Sequence, residues 1–406
     1  MEALTIVDIA PDGRGIAYLG EKTVFVPNTI PGEVVHIRVI HETDTQIDAE
    51  VESFEEISAD RVEPRDEGCL DSVSWQHIQY EAQLALKADI VSSALENIAK
   101  IPEPPLAWPI ASVEQWAYAR RMTFFPTTEG ILGYQRAQKI IPIETCAIAH
   151  PHIMNVLDEL NMEFDTITRL DIHVNDLGDS MLVLQTSDDA PPELEINIAG
   201  SINFLLSDHE PVNLIGDTHI VHQVGKHSVR LTAGVFSRPN VPQWQALAQT
   251  VLEAAQPQED DSILDVYGGI GLFSLFLAPH VNYITYIERY PPAATDAEFN
   301  LAAFEHVDIV EGRAEVILDD IAADRDHEDY ATIILDPTKR LSDSVLQALR
   351  KLNIPRIVYV SSDMVHMAKD INVLVWQMRY QLVGVQPIDT DPQTPNLTCV
   401  CLLERR

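Results

Sequence analysis

Residues 263–288 read ILDVYGGIGLFSLFLAPHVNYITYIE, and this stretch decides the fold of the C-terminal half. ILDV is apolar and strand-like, GGIG is a turn, LFSLFLA is helical, Pro279-His280 breaks the helix, and YITYIE is a second strand. The glycines let the backbone come close to a ligand, and the start of a helix offers unpaired amides. Glu288 ends the second strand, where a carboxylate can accept two hydrogen bonds from a ribose diol. The run 266–287 carries no charged side chain and is long enough to suggest a membrane span. Its paired glycines and Pro279 divide it into strand, turn, helix, turn and strand, which excludes that reading.

Downstream the same texture repeats. VDIVEG precedes AEVILDDIAA, YATIILD precedes SDSVLQALRK, and RIVYVSS precedes MAKDINVLV. Strands alternating with helices specify a parallel α/β sheet covered on both faces. Its strand ends bring Tyr267, Gly269, Gly271, Glu288 and Asp336 to one crevice, with Glu315 beside it. Open α/β sheets bind ligands at such a rim. The chain finishes in LVGVQPID and LTCVCLLE, an antiparallel pair.

Upstream of the acidic linker QPQEDDS (256–262) the texture changes. RRMTFFP, GILGYQ, RLDIHVN, SMLVLQTS, LEINIAGSINFLL and THIVHQV read as strands, interrupted by a short helix over 152–160. Residues 76–100 predict one long helix, stopped by IPEPPLAWP because proline lacks the amide donor. Residues 1–59 hold five short strands separated by Asp12-Gly13, Gly20, Pro27-Asn28 and Pro31-Gly32, which suits a small closed barrel. The expected units are 1–59, a barrel; 60–225, β-rich, with helix 76–100 packing on the C-terminal unit; and 226–406, the α/β unit. The fold class is therefore α/β plus β.

The formal net charge is −36, from 27 Lys and Arg against 63 Asp and Glu. A nucleic-acid binder neutralises phosphates with a basic surface, so RNA is a weak partner on charge unless cations cluster locally. Arg120, Arg121, Arg136, Lys139, Arg238, Lys339 and Arg340 are the candidates for such a strip. Four scattered cysteines exclude a disulfide scaffold and point to a reducing compartment. The N-terminus lacks a basic start and an apolar core, so no secretory signal is expected and the location is read as cytoplasmic.

The residues carry a resemblance over essentially the whole chain. DGRGIAYLGEKTVFVPNTIPGEVVHIRV resembles a TRAM module, an OB-like RNA-binding barrel. WQHIQYEAQLALKADIV, LGYQRAQKIIPIETCAIAHPHIMNVL, DVYGGIGLFSLFLA, ILDPTKR, PRIVYVSSDMVHMAKDI and VQPIDTDPQTPNLTCVCLL resemble the RNA uracil-5 methyltransferase family. The resemblance implies an N-terminal TRAM barrel, a β-rich middle domain and a Rossmann-like methyltransferase domain that takes S-adenosyl-L-methionine (SAM). It also implies an RNA substrate in rRNA or tRNA; no protein partner is implied.

Family chemistry uses a cysteine thiolate that adds to uracil carbon 6 and a carboxylate that removes the carbon-5 proton. The family pattern VYVSCNPATLARD becomes VYVSSDMVHMAKD, so Ser362 stands at the nucleophile position. A serine hydroxyl is not ionised near neutrality, and only Asp363 and His366 are near in sequence to activate it. The family's closing PQTHHVE becomes PQTPNLT, which puts Thr398 at the base position, where it has no usable pKa. Cys399 and Cys401 alternate with Thr398 and are expected to face away from the crevice as small core residues. FFQVN becomes Phe236-Ser237-Arg238-Pro239-Asn240, so Arg238 replaces a glutamine that contacts SAM in the family. Of the ligands for the family's iron–sulfur cluster only Cys69 and Cys146 remain; a cubane wants four thiolates, so no cluster and no other metal is expected.

The first functional reading is a SAM-binding family member without uracil carbon-5 activity, a pseudoenzyme. The alternatives are an active SAM-dependent RNA methyltransferase with altered chemistry and a non-catalytic protein-interaction scaffold.

Overall fold

The structure, a computed structural model, describes residues 3–66, 73–127, 131–136, 139–160, 166–191, 199–324 and 329–406. Its N-terminal sheet has the order β1-β5-β6-β4-β3-β2. The strands are β1 (Leu4–Thr5), β2 (Asp8–Ile9), β3 (Gly15–Leu19), β4 (Lys22–Val26), β5 (Val34–Glu42) and β6 (Gln46–Glu56). β1 and β2 are two halves of one segment, one paired with β5 and the other with β3. Ile6 N donates to Glu33 O and Val7 N to Ile16 O, both at 2.8 Å, so the two edges of the sheet are joined. Leu4, Ile6, Val24, Val26, Val35 and Ile37 fill the interior.

Helix α1 (Tyr80–Asn97) begins four residues later than the sequence predicts. Residues 75–79 are instead held in turns against the barrel. Trp75 Nε1 donates to Gly13 O at 3.1 Å, and Gln79 N donates to Asp60 O at 2.8 Å. Leu86, Ile90, Val91 and Leu95 of α1 pack into the core of the C-terminal sheet.

The middle sheet comprises β7 (Arg121–Pro126), β8 (Leu132–Arg136), β9 (Lys139–Pro142), β10 (Ile167–Val174), β11 (Ser180–Thr186), β12 (Ser201–Leu205) and β13 (Pro211–Ile215). Its order is β13-β12-β11-β10-β7-β8-β9, and α2 (Pro151–Glu159) covers one face through Ile153 and Val156. A hairpin follows, β14 (His219–Val224) and β15 (His227–Thr232). The expected division at 225/226 falls on its turn. Ile220, Val224, Val229 and Leu231 share one core with Trp244 and Leu247 of α3 (Trp244–Ala255), a helix absent from the expected elements.

The C-terminal sheet is built from β16 (Ser262–Val266), β17 (Tyr283–Glu288), β18 (Val307–Glu311), β19 (Tyr330–Leu335), β20 (Arg356–Ser361), β21 (Tyr380–Ile388) and β22 (Thr398–Arg405). Its order is β18-β17-β16-β19-β20-β22-β21. β16 to β20 are mutually parallel; β22 runs antiparallel to β20 and β21 antiparallel to β22. Helices α4 (Leu272–Leu277), α5 (Pro291–Asn300), α6 (Ala314–Ala323), α7 (Asp343–Leu352) and α8 (Met364–Met378) connect the strands. The chain runs outward from β16 to β18 and then returns to β19, so the order reverses between β16 and β19. A crevice opens at the strand ends there.

Candidate functional site

The loop after β16 is shaped for close approach. Tyr267, Gly269 and Gly271 have φ of 62°, 60° and 77°. A Cβ on Gly268 would lie 2.1 Å from the Tyr286 ring, so only glycine fits. A Cβ on Gly269 would meet no heavy atom within 4 Å; the loop faces open space at that point. Glu288, at the end of β17, accepts from Gly269 N at 3.1 Å through one oxygen. Its other oxygen accepts from Arg289 N at 2.7 Å and Tyr290 N at 2.8 Å. Three amides thus fix the carboxylate, and the Tyr286 hydroxyl donates to Gly269 O from the other side. The structure gives Glu288 a loop-holding task that the sequence reading did not foresee.

Asp265, in β16 two residues before Tyr267, is fully buried. One oxygen accepts from Ser274 Oγ at 2.5 Å and the other has no partner. Burial pushes this carboxyl up to about 7; the Ser274 hydrogen bond opposes the shift, while Asp336 and Glu288 add to it. Sequence spacing alone carries no signal of this.

Asp336 follows β19 directly and is engaged by Arg238. The guanidinium donates through both terminal nitrogens, at 3.0 and 2.8 Å, to the two carboxylate oxygens. The side chains are 15% and 17% exposed, so the pair is largely removed from water. Burial acts against the Arg238 charge, and the Asp336 and Asp391 carboxylates outweigh it, holding the group above its ordinary value. Trp244 Nε1 donates to Arg238 O at 3.0 Å, and Arg121 donates to Ser237 O at 3.3 Å. Two residues expected to face a ligand separately are therefore spent on each other.

Ser362 and Thr398, 36 positions apart in the chain, meet across the ends of β20 and β22, with Oγ and Oγ1 2.9 Å apart. Thr398 is fully buried, whereas Ser362 is exposed. Thr398 Oγ1 lies 3.1 Å from Thr390 Oγ1, which donates to Asp391 at 2.9 Å. The four groups form a hydroxyl chain from the surface to a carboxyl that burial pushes up. Thr390 and Asp391 were not among the expected site residues. Asp363 caps α8 by accepting from His366 N at 2.8 Å, and its second oxygen lies 3.2 Å from His366 Nδ1. Neither hydrogen-bonds to Ser362 among the described residues. Cys399 and Cys401 are fully buried, 3.5 Å from the sulfurs of Met364 and Met367, and burial raises both thiols.

The segment carrying Thr390 and Asp391 is anchored from far away. Lys87 of α1 donates to Asp389 at 2.5 Å and to Asp391 O at 3.0 Å, and both charged side chains are fully buried. Tyr80 donates to the second Asp389 oxygen at 2.8 Å, and Gln83 donates to Gln393 at 2.8 Å.

The candidate basic strip is largely neutralised. Arg120 pairs with Glu114 and Asp176, Arg121 with Asp171, Arg238 with Asp336, and Arg340 with Asp370. Lys339 is exposed; the side chains of Arg136 and Lys139 lie outside the described part. Cys146 is buried, and Cys69 lies outside the described residues. Among the described residues no His, Cys, Asp and Glu form a group of three or more that could hold a metal ion.

Residues 217–406 match the family described as tRNA (Uracil-5-)-methyltransferase. An uncharacterized RNA methyltransferase of Halalkalibacterium halodurans is 28% identical, over 99% of this chain and 96% of its own length. One from Aquifex aeolicus is also 28% identical, over 99% of this chain and 98% of its own. The tRNA (uracil-54, C5)-methyltransferase of Pyrococcus abyssi, solved with S-adenosyl-L-homocysteine, shares the fold. Its TM-score is 0.74 at 18% identity, covering 99% of this chain and 100% of that one.

Proposed function

Because the chain belongs to the RNA uracil-5 methyltransferase family, we propose that it is a SAM-binding member that does not methylate uracil carbon 5. The loop and Glu288 suit the nucleoside end of SAM: an open backbone at Gly269 and a carboxylate already fixed beside it. In this reading Tyr267, Gly269, Gly271, Glu288 and Asp336 line the cofactor. SAM, when bound, supplies an electrophilic methyl group. The chain's residues must supply the rest, and there the reading departs from the family's activity.

Uracil carbon 5 becomes nucleophilic only after a strong nucleophile adds to carbon 6. The observation that carries the proposal is the Ser362–Thr398 hydroxyl pair at 2.9 Å, formed by the two residues that the family resemblance aligns with a thiolate and a carboxylate. Neither hydroxyl ionises near neutrality, and Thr398 cannot take the carbon-5 proton. We read the N-terminal barrel as the TRAM module and the three units as barrel, middle sheet and methyltransferase domain. RNA remains the substrate class that the family supplies.

One observation favours a second reading, methyl transfer with altered chemistry. The chain Ser362–Thr398–Thr390–Asp391 gives the Ser362 proton a path to a buried carboxyl. RNA containing 5-fluorouridine separates the two readings, because carbon 5 cannot lose fluorine and any adduct with SAM present is trapped. The first reading expects no adduct from wild type and an adduct from Ser362→Cys. A wild-type adduct abolished by both Ser362→Ala and Asp391→Asn establishes the second.

A further inference from the structure

One edge of the C-terminal sheet is only partly covered. β21 is its last strand. The segment 105–110 runs beside β21 and closes the half nearer the crevice. Val385 N donates to Pro105 O, Ala107 N to Val385 O and Asp389 N to Ile110 O, each at 2.9 Å. That pairing cannot extend back along β21, because residues 102–105 read Pro-Glu-Pro-Pro and a proline has no amide to donate. Glu103, at φ 48°, also breaks the extended course of the chain. Among the described residues, Gln381, Leu382 and Val383 therefore have β22 on one side and no backbone partner on the other.

The uncovered half is a groove of about 400 Å³ lined by Ile101, Pro102, Pro105, Trp376, Leu382 and Val383. Trp376 Nε1 donates to Ala99 O at 2.9 Å, which fixes the indole, yet the residue is 56% exposed. Large apolar side chains gathered at an exposed groove mark an interaction site.

Charge at the groove runs against that of the whole molecule. Arg406 lines it, Arg406 N donates to Arg379 O at 3.0 Å, and Lys100 directly precedes Ile101. All three cations are exposed, and among the described residues none has an ion-pair partner, in a chain with 63 Asp and Glu against 27 Lys and Arg. Arg405 lies over the Tyr380 ring, 5.5 Å from its centroid. The carbonyl end of α8 favours a cation and accounts for Arg379. It does not account for Lys100 or Arg406. Glu103 and the carboxylate of Arg406 are the acids beside them.

We propose that this groove binds an acidic peptide segment of another protein, held extended against β21 as a further strand. The backbone of residues 381–383 pairs with its main chain, an aliphatic side chain packs on Trp376 and Val383, and Lys100, Arg379 and Arg406 meet its carboxylates. RNA has no peptide backbone to offer a strand edge, and tight RNA binding draws on more phosphate contacts than three cations supply. The groove lies at the end of the sheet away from the crevice: Tyr380 pairs with Arg405 there, whereas Ile388 pairs with Thr398 at the other end. The proposal therefore does not depend on the cofactor site.

Fluorescence anisotropy of short, labelled, end-capped peptides titrated with the full-length protein tests this. A peptide of alternating Glu and Val should bind about tenfold more tightly than one of alternating Lys and Val or of alternating Glu and Ser. Arg379→Glu/Arg406→Glu should weaken the Glu/Val peptide about tenfold, and Val383→Asp should weaken it similarly. All three positions are exposed, and circular dichroism checks that the variants fold. No binding of the Glu/Val peptide, equal binding of the Lys/Val peptide, or an affinity unmoved by both variants overturns the proposal. A uridine oligonucleotide that binds more tightly than the Glu/Val peptide, and is lost in the charge variant, assigns the groove to RNA instead. A concentration-dependent dimer lost in that variant assigns it to a second copy of this chain.

Discussion

Replacing Lys87 by methionine tests the anchor that places the 389–398 segment. The side chains of Lys87 and Asp389 are fully buried, 2.5 Å apart. Burial pulls the ammonium down from its ordinary lysine value, and Asp389 opposes that pull. Methionine fills much of the lysine volume, so the cavity contribution is small. What remains is a carboxylate in the core with the Tyr80 hydroxyl at 2.8 Å and the Asp391 amide at 3.3 Å as its donors. Removing one partner of a buried pair costs about 3–5 kcal/mol, because the other charge stays buried and uncompensated. That is a large share of the roughly 5–15 kcal/mol that holds a typical domain folded. The double variant Lys87→Met/Asp389→Asn should recover much of the loss, since no charge is left inside and Asn keeps an acceptor for Tyr80. The assay is urea unfolding followed by circular dichroism, with all variants at one pH. A single variant within about 1 kcal/mol of wild type, or a double variant no better than the single, would show that Asp389 is not left as an uncompensated buried charge.

Glu288→Ala removes both the ribose acceptor and the Gly269 tether, and should weaken calorimetric SAM-type binding by about 1.5–3 kcal/mol; unchanged affinity moves the site elsewhere. The buried Asp265 carboxyl, raised to about 7, binds its proton in the folded state while the unfolded chain has released it. Its contribution to stability is therefore lost as pH rises from about 4 to 7. Asp265→Asn should flatten that slope in melts run between pH 5 and 8; an equally steep slope in the variant contradicts the assignment. Ser362→Cys alone should form an adduct on uridine-containing RNA without turnover, and Ser362→Cys/Thr398→Glu should add slow turnover, read by mass spectrometry of protein and nucleosides. Turnover by the single variant would show that another base serves.

The parts of this architecture with a local signature were legible in the sequence. The glycine loop announces itself because positive φ at Gly269 and Gly271 and the tight approach at Gly268 need glycine. Strand ends are visible from apolar runs that stop, which placed Glu288 and Asp336 at one rim, whereas Ser362 and Thr398 were found only through the family motifs. Pairings between distant residues were not legible. Lys87 looks like an exposed helical lysine until the fold sets Asp389, 302 positions away, against it. Arg238 and Asp336 were both assigned to the ligand, and their mutual bidentate contact depends on how the Phe236–Asn240 segment is held by Trp244 and Arg121. Helix α3 and the β14–β15 hairpin were missed or divided because WQALAQTVLEAA adjoins the acidic linker and Gly225 reads equally as a boundary and as a turn.

Transfer of tritium from methyl-labelled SAM to total RNA shows whether the wild-type protein methylates uracil carbon 5. After incubation with purified wild-type protein, the RNA is digested and its nucleosides are separated. Wild type should yield no tritiated 5-methyluridine, and the Ser362→Cys/Thr398→Glu variant serves as the positive control. Tritiated 5-methyluridine made by the wild type, and abolished by Ser362→Ala, would contradict it.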